Sequence, residues 1–141
     1  MRQSENNFSN ATLFNLHKSS TGRTVWRRTV LHPVHWEFTD AINVSNRGPD
    51  TADSAQVIIW FSTDSEGKRW VSPKKYAAMD AAEATRHWTL SPQDKLFRGI
   101  LDAGRDMSTL LTEQDNYITI RRVAEHGYGN AGMRHWEVSG I

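Results

Sequence analysis

The sequence predicts a mostly β fold, a small barrel or sandwich with one short helix and long loops. Three observations lead to this prediction: six to eight short segments rich in β-branched and aromatic residues, turn residues at fairly regular intervals, and a single stretch with a good helix start. The 141 residues correspond to about one domain. We therefore expect a polar N-terminal arm over residues 1–10 and a single β-barrel-like domain over residues 11–141.

Two strands dominate the predicted sheet. Thr24–Phe38 is the longest, and its second half alternates apolar and polar residues. Pro33 interrupts it and indicates an edge position or a bulge, because proline donates no hydrogen bond to a neighbouring strand. Ser54–Phe61 is apolar on both faces at its end, which predicts burial on both sides, inside the fold or against a partner. Shorter strands are predicted over residues 11–16, 68–71, 87–90, 95–101, 117–125 and 133–138.

Helical segments and loops complete the prediction. Ser72 suits an N-cap and Pro73 the first helical position, so a helix is expected over residues 74–84. Residues 108–114 are expected to form one or two helical turns. Residues 40–53 predict a loop of about a dozen residues, a length that is usually functional or mobile. Turns are predicted at residues 17–22, 63–67, 91–94 and 126–130.

Composition excludes several classes of protein. The chain has 17 basic and 16 acidic residues and a net charge of +1, whereas a dedicated nucleic-acid domain usually carries a clear basic excess. The absence of cysteine excludes a disulfide framework, a thiolate zinc site and a cysteine nucleophile, and it fits folding in a reducing cytosol. No apolar run approaches the roughly 20 residues that span a bilayer, and the N-terminus lacks the apolar region of a signal peptide. No membrane partner is therefore expected.

The tripeptide His-Trp-Glu occurs twice, at residues 35–37 and 135–137. Residues two apart on a strand share a face, so each copy projects an imidazole beside a carboxylate. Two such pairs on adjacent strands would offer His35, Glu37, His135 and Glu137 to a divalent cation. Strand alternation alone also produces this tripeptide, with tryptophan in the core and the polar pair outside. We prefer the second interpretation and expect no bound metal and no cofactor.

Four basic doublets are present, at residues 27–28, 68–69, 74–75 and 121–122. They suggest a phosphate-contacting surface on which Trp26 or Trp70 stacks against bases. Adjacent residues of a strand point to opposite faces, so Arg27-Arg28 and Arg121-Arg122 are not expected to form one stripe. Solvated faces or ion pairs between subunits are the preferred interpretation. No nucleophile elbow, phosphate loop or calcium loop is present, so no catalytic residue is predicted.

The order of segments along the chain carries a resemblance. An early strand is followed by Val25-Trp26-Arg27-Arg28, Val34-His35-Trp36-Glu37, a long loop, Val57–Phe61, Gly67–Tyr76, Trp88–Asp94, Phe97-Arg98-Gly99, Tyr117–Val123 and Gly132–Val138. This order resembles small proteins encoded in the head-completion region of tailed-phage and prophage genomes of Gram-positive bacteria, often labelled minor structural or minor capsid proteins. The resemblance covers roughly residues 11–141. More distantly, the chain is similar to the stopper, or head-closure, proteins of phage necks.

The resemblance implies a β-barrel subunit of a homo-oligomeric ring, usually of six, beneath the portal and adaptor. Such proteins carry a loop that helps to gate the DNA channel, and they have no catalytic residues. DNA would pass through the lumen without base-specific contacts. The gating loop is placed at residues 40–53 by length alone. Contacts with neighbouring subunits or partners are predicted at Arg47, Trp60, Trp70 and Arg121.

We therefore expect a structural virion protein, not an enzyme, that is assembled in the host cytoplasm and connects the capsid to the tail. Portal or adaptor proteins and tail proteins are the expected partners. The nearest alternatives are a tail terminator and a minor capsid protein. Alternatives of another class are a metal-dependent hydrolase that uses the two His/Glu pairs, and a small nucleic-acid-binding barrel whose DNA affinity falls steeply with salt.

Overall fold

Eight strands and three short helices make up the part of the chain that the structure describes, residues 8–18, 21–38, 55–130 and 132–141 of a computed structural model. The strands are β1 Phe8–Lys18, β2 Thr24–Phe38, β3 Ala55–Asp64, β4 Arg69–Trp70, β5 His87–Trp88, β6 Lys95–Arg98, β7 Tyr117–His126 and β8 His135–Gly140. The helices are α1 Pro73–Ala77, α2 Ala81–Ala84 and α3 Met107–Glu113. Six strands close into an antiparallel barrel in the order β1-β2-β3-β8-β7-β6. The predicted mostly β fold is confirmed, and of the two predicted architectures it is the barrel.

The inside of the barrel is filled by alternate residues of its strands, as the two-residue period of a strand requires. Trp36, Trp88 and Trp136 are all buried there, so tryptophan supplies much of the buried apolar surface. The core comprises Ala11, Leu13, Leu31, Val34, Trp36, Ala55, Val57, Ile59, Trp88, Leu90, Leu96, Ile118, Ile120, Trp136 and Val138. No helix in the described ranges has the length and apolar character needed to span a membrane.

The segment between β3 and β6, residues 65–94, covers one end of the barrel. Its Trp88 and Leu90 belong to the core, and Trp70 packs against it. The rings of Trp70 and Trp88 lie 5.1 and 5.4 Å from the ring of Trp136, at the start of β8. Aromatic pairs at such distances contribute attraction beyond the area they bury. We call residues 65–94 the capping segment.

A buried polar network joins the capping segment to β1. Asp94 Oδ2 accepts a hydrogen bond of 2.8 Å from the side-chain amide of Asn15, and Oδ1 accepts one of 3.0 Å from the Leu16 N–H. The same Asn15 amide donates to the Thr89 carbonyl at 2.8 Å and accepts from the Thr89 N–H at 3.2 Å. Burial raises the pKa of Asp94 to about 6, against these hydrogen bonds, which favour the ionised form.

A second apolar cluster lies on the outer face of β1 and β6. Phe14, Phe97 and Leu110 are buried in it, and the two phenyl rings meet edge to face at 5.5 Å. Helix α3 brings Leu110 to this cluster and begins at Asp106, whose side chain is the N-cap. The helical turns predicted over residues 108–114 therefore cover part of the outer surface of the barrel.

The single helix predicted over residues 74–84 is instead two helices. Ser72 caps α1 and Pro73 is its first residue, as predicted. Asp80 then acts as a new N-cap: it accepts from the Glu83 N–H at 2.8 Å, while the Glu83 side chain accepts from the Asp80 N–H. The extended backbone of Asp80, at φ −78° and ψ 176°, ends the continuous helix. The spacing of Asp80 and Glu83 is the sequence signal for this break.

The strand predictions differ from the structure at several other places. β4, predicted as a return strand, pairs in parallel with β5 and not with β3. The register shifts between His32 and Val34, so the bulge predicted at Pro33 is present, and β2 is paired on both sides. β1 begins at Phe8, so residues 8–10 of the predicted arm belong to a strand. Residues 1–7 and the loop predicted over residues 40–53 lie outside the described residues.

Burial on both faces was also expected at the end of the strand that became β3. The inward residues Val57 and Ile59 are fully buried. The outward residues Ile58 and Trp60 are half-buried, and Phe61 is 38% exposed. The two faces of β3 are therefore unequal, and the outer one retains apolar surface.

Candidate functional site

Three side chains that can ligate a metal lie together on the outer face of β7 and β8. His126 in β7 is directly opposite His135 in β8, and Glu137 follows two residues later on the same face. One ligand atom from each lies within 4.8 Å of the others. Within the part of the chain that the structure describes, this is the one group of three or more such residues at that spacing. We call these three residues the His126 cluster.

Glu137 Oε2 lies at the centre of the His126 cluster. It is 3.1 Å from Nε2 of His135 and 3.5 Å from Nε2 of His126. The two imidazole rings stack with centroids 4.9 Å apart and planes inclined by 17°. Two ring nitrogens and one carboxylate oxygen therefore converge on the same small volume.

In both histidines, the second ring nitrogen, Nδ1, contacts a polar group of the β7–β8 hairpin. Nδ1 of His135 lies 2.7 Å from the Met133 carbonyl oxygen, and because a carbonyl only accepts, this Nδ1 carries a proton. Nδ1 of His126 lies 3.0 Å from the Tyr128 hydroxyl. The hydrogen bond to Met133 is the main cause that raises the pKa of His135; burial opposes it, and the hydrogen bond and charge of Glu137 add to it.

The first tripeptide brings one histidine and one glutamate together. His35 Nε2 lies 3.1 Å from Glu37 Oε2 on the outer face of β2. β3 separates this pair from β8, since Ile58 lies opposite His35 on one side and Glu137 on the other. The two tripeptides are therefore not on adjacent strands and do not form one four-residue site. Trp36 and Trp136 are both buried, as the preferred interpretation predicted.

A groove of about 730 Å³ runs beside β7 and the capping segment. Trp70, Trp136 and Val123 form apolar parts of its lining, and Arg121 and Arg122 line it too. Both arginines are exposed, because the β7–β8 register shifts between Ile120 and Arg122. That the two strand-borne arginine doublets do not form one stripe stays a prediction.

A close approach of β7 and β8 accompanies that register shift. A Cβ added to Gly140 would lie 2.0 Å from the Thr119 carbonyl oxygen. Ile141 and Thr119 exchange two backbone hydrogen bonds, of 2.8 and 3.2 Å, beside it. Only glycine fits this contact, so Gly140 is part of what permits the bulge that presents Arg121.

Large apolar side chains are exposed at the hairpin end of the barrel. Phe61, Tyr128 and Met133 are 38%, 72% and 59% exposed. The β7–β8 hairpin lies beside Phe61 and Met133: a Cβ on Gly127 would lie 3.9 Å from the Phe61 ring, and one on Gly129 would lie 3.4 Å from the Met133 sulfur. The Phe61 ring also lies 4.4 Å from the ring of Trp136. We call Phe61, Tyr128 and Met133 the apolar rim.

Comparison with known proteins gives a family. The sequence profile of the family of unknown function DUF6751 matches residues 7–141. The chain belongs to this family. The match includes every described strand and therefore the His126 cluster, the groove and the apolar rim. No curated protein and no solved structure matches the DUF6751 chain.

The candidate ligands predicted for this DUF6751 protein separate into two groups. His135 and Glu137 belong to the His126 cluster, whereas His35 and Glu37 pair with each other on β2. His126 was not among the predicted ligands. A hairpin between residues 117–125 and 133–138 was predicted, but its register was not, and only the register shows that His126 faces His135.

The predicted interface residues also lie in different surroundings. Trp60 is half-buried on the outer face of β3, opposite His135. Trp70 is partly buried against Trp136 at the groove, and Arg121 is exposed there. Arg47 lies outside the described residues. The predicted surface therefore divides between the groove and the outer face of β3.

Proposed function

We propose that this DUF6751 protein is a structural virion protein of the phage neck, a stopper-like ring subunit between the portal or adaptor and the tail. The observation that carries the proposal is a closed barrel with two different exposed surfaces, the apolar rim and the groove. A closed barrel offers no free strand edge, so neighbouring copies meet through side chains and loops. Grouped large apolar side chains on a surface are typical of such contacts.

The apolar rim and the groove are the two sides of the contact that we propose between copies. Joining two different surfaces of one chain gives a heterologous interface, which forms a ring when the rotation closes. Tyr128 and Met133 supply the apolar projection, and Trp70 and Trp136 supply an aromatic lining to receive it. Aromatic residues and arginine, here Arg121, are the residue types enriched in such contacts.

The charge of the chain agrees with a ring around DNA. With 17 basic and 16 acidic residues, it lacks the excess that sequence-independent DNA binding uses, so DNA would pass without tight contacts. The ring would assemble in the host cytoplasm and contact portal or adaptor proteins on one side and tail proteins on the other, with no membrane partner. A tail terminator or a minor capsid protein would use the same ring contacts at another position.

Light scattering on tag-free protein over a concentration series tests the ring. We expect the wild type to form a closed oligomer, while the rim variant Tyr128→Ser/Met133→Ser and the groove variant Arg121→Glu each remain monomeric. An equimolar mixture of the two variants retains one intact interface and gives a dimer. Ile100→Ser is the matched control, because Ile100 is as exposed as Met133, at 59%, and lies outside the rim. Variants that fail to pair in the mixture would contradict the heterologous contact.

The position in the particle tests the neck itself. Virions made by the genome that encodes this chain would be purified, and the protein located by labelling and counted by quantitative mass spectrometry. We expect it between the portal and the tail. Location at the tail end or in the capsid shell would favour the tail terminator or the minor capsid protein, and absence from virions would overturn the proposal.

A further inference from the structure

We propose that the His126 cluster binds one divalent transition metal ion, such as zinc, through His126 Nε2, His135 Nε2 and a carboxylate oxygen of Glu137. The site lies on the outer face of the barrel beside the apolar rim. It is independent of the proposed neck function, because it rests on the local geometry of the β7–β8 hairpin.

The distances fit an ion without movement of the backbone. Metal–nitrogen and metal–oxygen bonds of about 2.0–2.2 Å place neighbouring ligand atoms about 3–3.6 Å apart. Glu137 Oε2 lies 3.1 Å from His135 Nε2 and 3.5 Å from His126 Nε2. Both distances fall in that range, and because the ligand atoms of all three residues lie within 4.8 Å of one another, side-chain rotation would have to bring the two imidazole nitrogens onto the ion.

The hydrogen bond of His135 leaves a place for a cation. Its Nδ1 donates to the Met133 carbonyl, so in the neutral ring Nε2 presents a lone pair to the carboxylate of Glu137. Two acceptors 3.1 Å apart attract each other only with a cation between them. A metal ion at this position would also have Nε2 of His126 within reach, 3.5 Å from the same oxygen.

The surroundings resemble the outer shell of a metal site. Histidine ligands usually bind the metal with one nitrogen and hydrogen-bond through the other, which fixes the orientation of the ring. The Met133 carbonyl does this for His135, and the Tyr128 hydroxyl contacts Nδ1 of His126. Trp60, the cross-strand neighbour of His135 on β3, places an aromatic residue beside the site.

The ligand types select the class of ion. Imidazole together with carboxylate suits zinc, copper, nickel and iron, whereas magnesium and calcium prefer oxygen ligands throughout. Three protein ligands leave at least one coordination position for water or for a group of a neighbouring chain. Zinc is therefore the probe, and magnesium the ion expected to be rejected.

Calorimetric titration of the tag-free full-length chain with zinc tests the site. We expect one ion per chain for the wild type and no binding of magnesium. His126→Ala and Glu137→Gln are expected to lower zinc affinity more than about 100-fold, since loss of an outer-shell partner alone costs about 10- to 100-fold. His35→Ala and Glu37→Gln are the matched controls, because they alter the same tripeptide on β2 and should leave the affinity unchanged.

Cobalt absorption supplies a second readout. Cobalt bound in the site should give visible bands that disappear in Glu137→Gln and persist in Glu37→Gln. Circular dichroism of each variant checks folding, and the isosteric Glu137→Gln keeps the test valid if His126→Ala unfolds. The proposal is overturned if the wild type binds no zinc, if both cluster variants retain the affinity, or if the β2 controls lose it equally.

Discussion

The two His-Trp-Glu tripeptides are identical in sequence and different in surroundings. On the inner face they are equivalent, since Trp36 and Trp136 are both buried. On the outer face, the residue opposite His35 on β3 is Ile58, whereas the residue opposite His135 on β7 is His126. Among the described residues, only the second tripeptide belongs to a group of three side chains that can ligate a metal. The neighbouring strand, and not the tripeptide, determines the chemistry of a strand motif.

Replacement of the buried tryptophan of each tripeptide should have the largest effect on stability. Trp36→Ala and Trp136→Ala should each lower the free energy of unfolding by about 3–5 kcal/mol, because each leaves a cavity in a packed core. Trp136 should cost the more, since its ring contacts those of Phe61, Trp70 and Trp88. Urea unfolding followed by circular dichroism measures both values. A loss below about 1 kcal/mol for either variant would show that its tryptophan contributes little to the packed core.

Burial inside the fold also changes the titration of a carboxylate, Asp94. The pKa of Asp94 is raised from 3.8 to about 6, so between these values the folded state binds more protons than the unfolded state. The contribution of Asp94 to the free energy of unfolding is most favourable below pH 4 and is lost as the pH rises through 6. The whole shift corresponds to about 3 kcal/mol, at about 1.4 kcal/mol for each pKa unit, and about 2.5 kcal/mol of it is lost from pH 4 to pH 7.

The substitution Asp94→Asn isolates the pH-dependent contribution of Asp94 to stability, because the amide keeps the shape of the side chain and does not titrate. The free energy of unfolding of the wild type minus that of the variant should fall by about 2.5 kcal/mol between pH 4 and pH 7. Taking the difference removes the titration of all other groups. A difference that rises with pH would show that the hydrogen bonds from Asn15 and Leu16 outweigh burial.

Much of the barrel was predictable because it depends on local patterns. Alternation placed Trp36 and Trp136 inside, and Pro33 indicated the bulge. The break before α2 was also predictable, since Asp80 and Glu83 have the spacing of a capping box. The pairing of β4 with β5 was not, because it depends on how the capping segment crosses the barrel.

The candidate site depended on long-range information that the sequence does not provide. His135 and Glu137 are two residues apart and could be paired from strand geometry alone. His126 joins them only through the hairpin register, which the residues of the strands do not determine without the path of the connecting loop. The bulge at Arg121 likewise depends on how β7 pairs with β8, and the residues of β7 alone do not indicate it.

The outer-shell contact of His126 should have a smaller effect than the ligands. Tyr128→Phe removes the hydroxyl 3.0 Å from Nδ1 and should lower zinc affinity about 10-fold or somewhat more. Competition with a chromophoric chelator measures this change. Met133→Leu is the control, because Met133 contacts His135 through its backbone carbonyl, which the substitution keeps. Equal affinities for the wild type and Tyr128→Phe would show that the hydroxyl does not orient the ring.

The smallest effect that we expect is a partial gain of zinc binding at the first tripeptide. Ile58 lies opposite His35 with Glu37 two residues further along, the same arrangement as His126, His135 and Glu137. In the His126→Ala background, adding Ile58→His should therefore restore zinc binding. The affinity should stay below that of the wild type, because the Tyr128 hydroxyl that contacts His126 belongs to the β7–β8 hairpin and not to β2 or β3.

A further substitution identifies which carboxylate serves the introduced imidazole. Position 58 also faces Glu137, so Glu37→Gln would be added to the double variant and zinc affinity measured by chelator competition. We expect Glu37→Gln to remove the recovered binding, although the same substitution leaves the wild type unchanged. If Glu137→Gln removes it instead, the introduced imidazole has joined the second tripeptide. A failure to recover any binding would show that cross-strand position alone is insufficient, and that the hairpin groups around Tyr128 and Met133 are required as well.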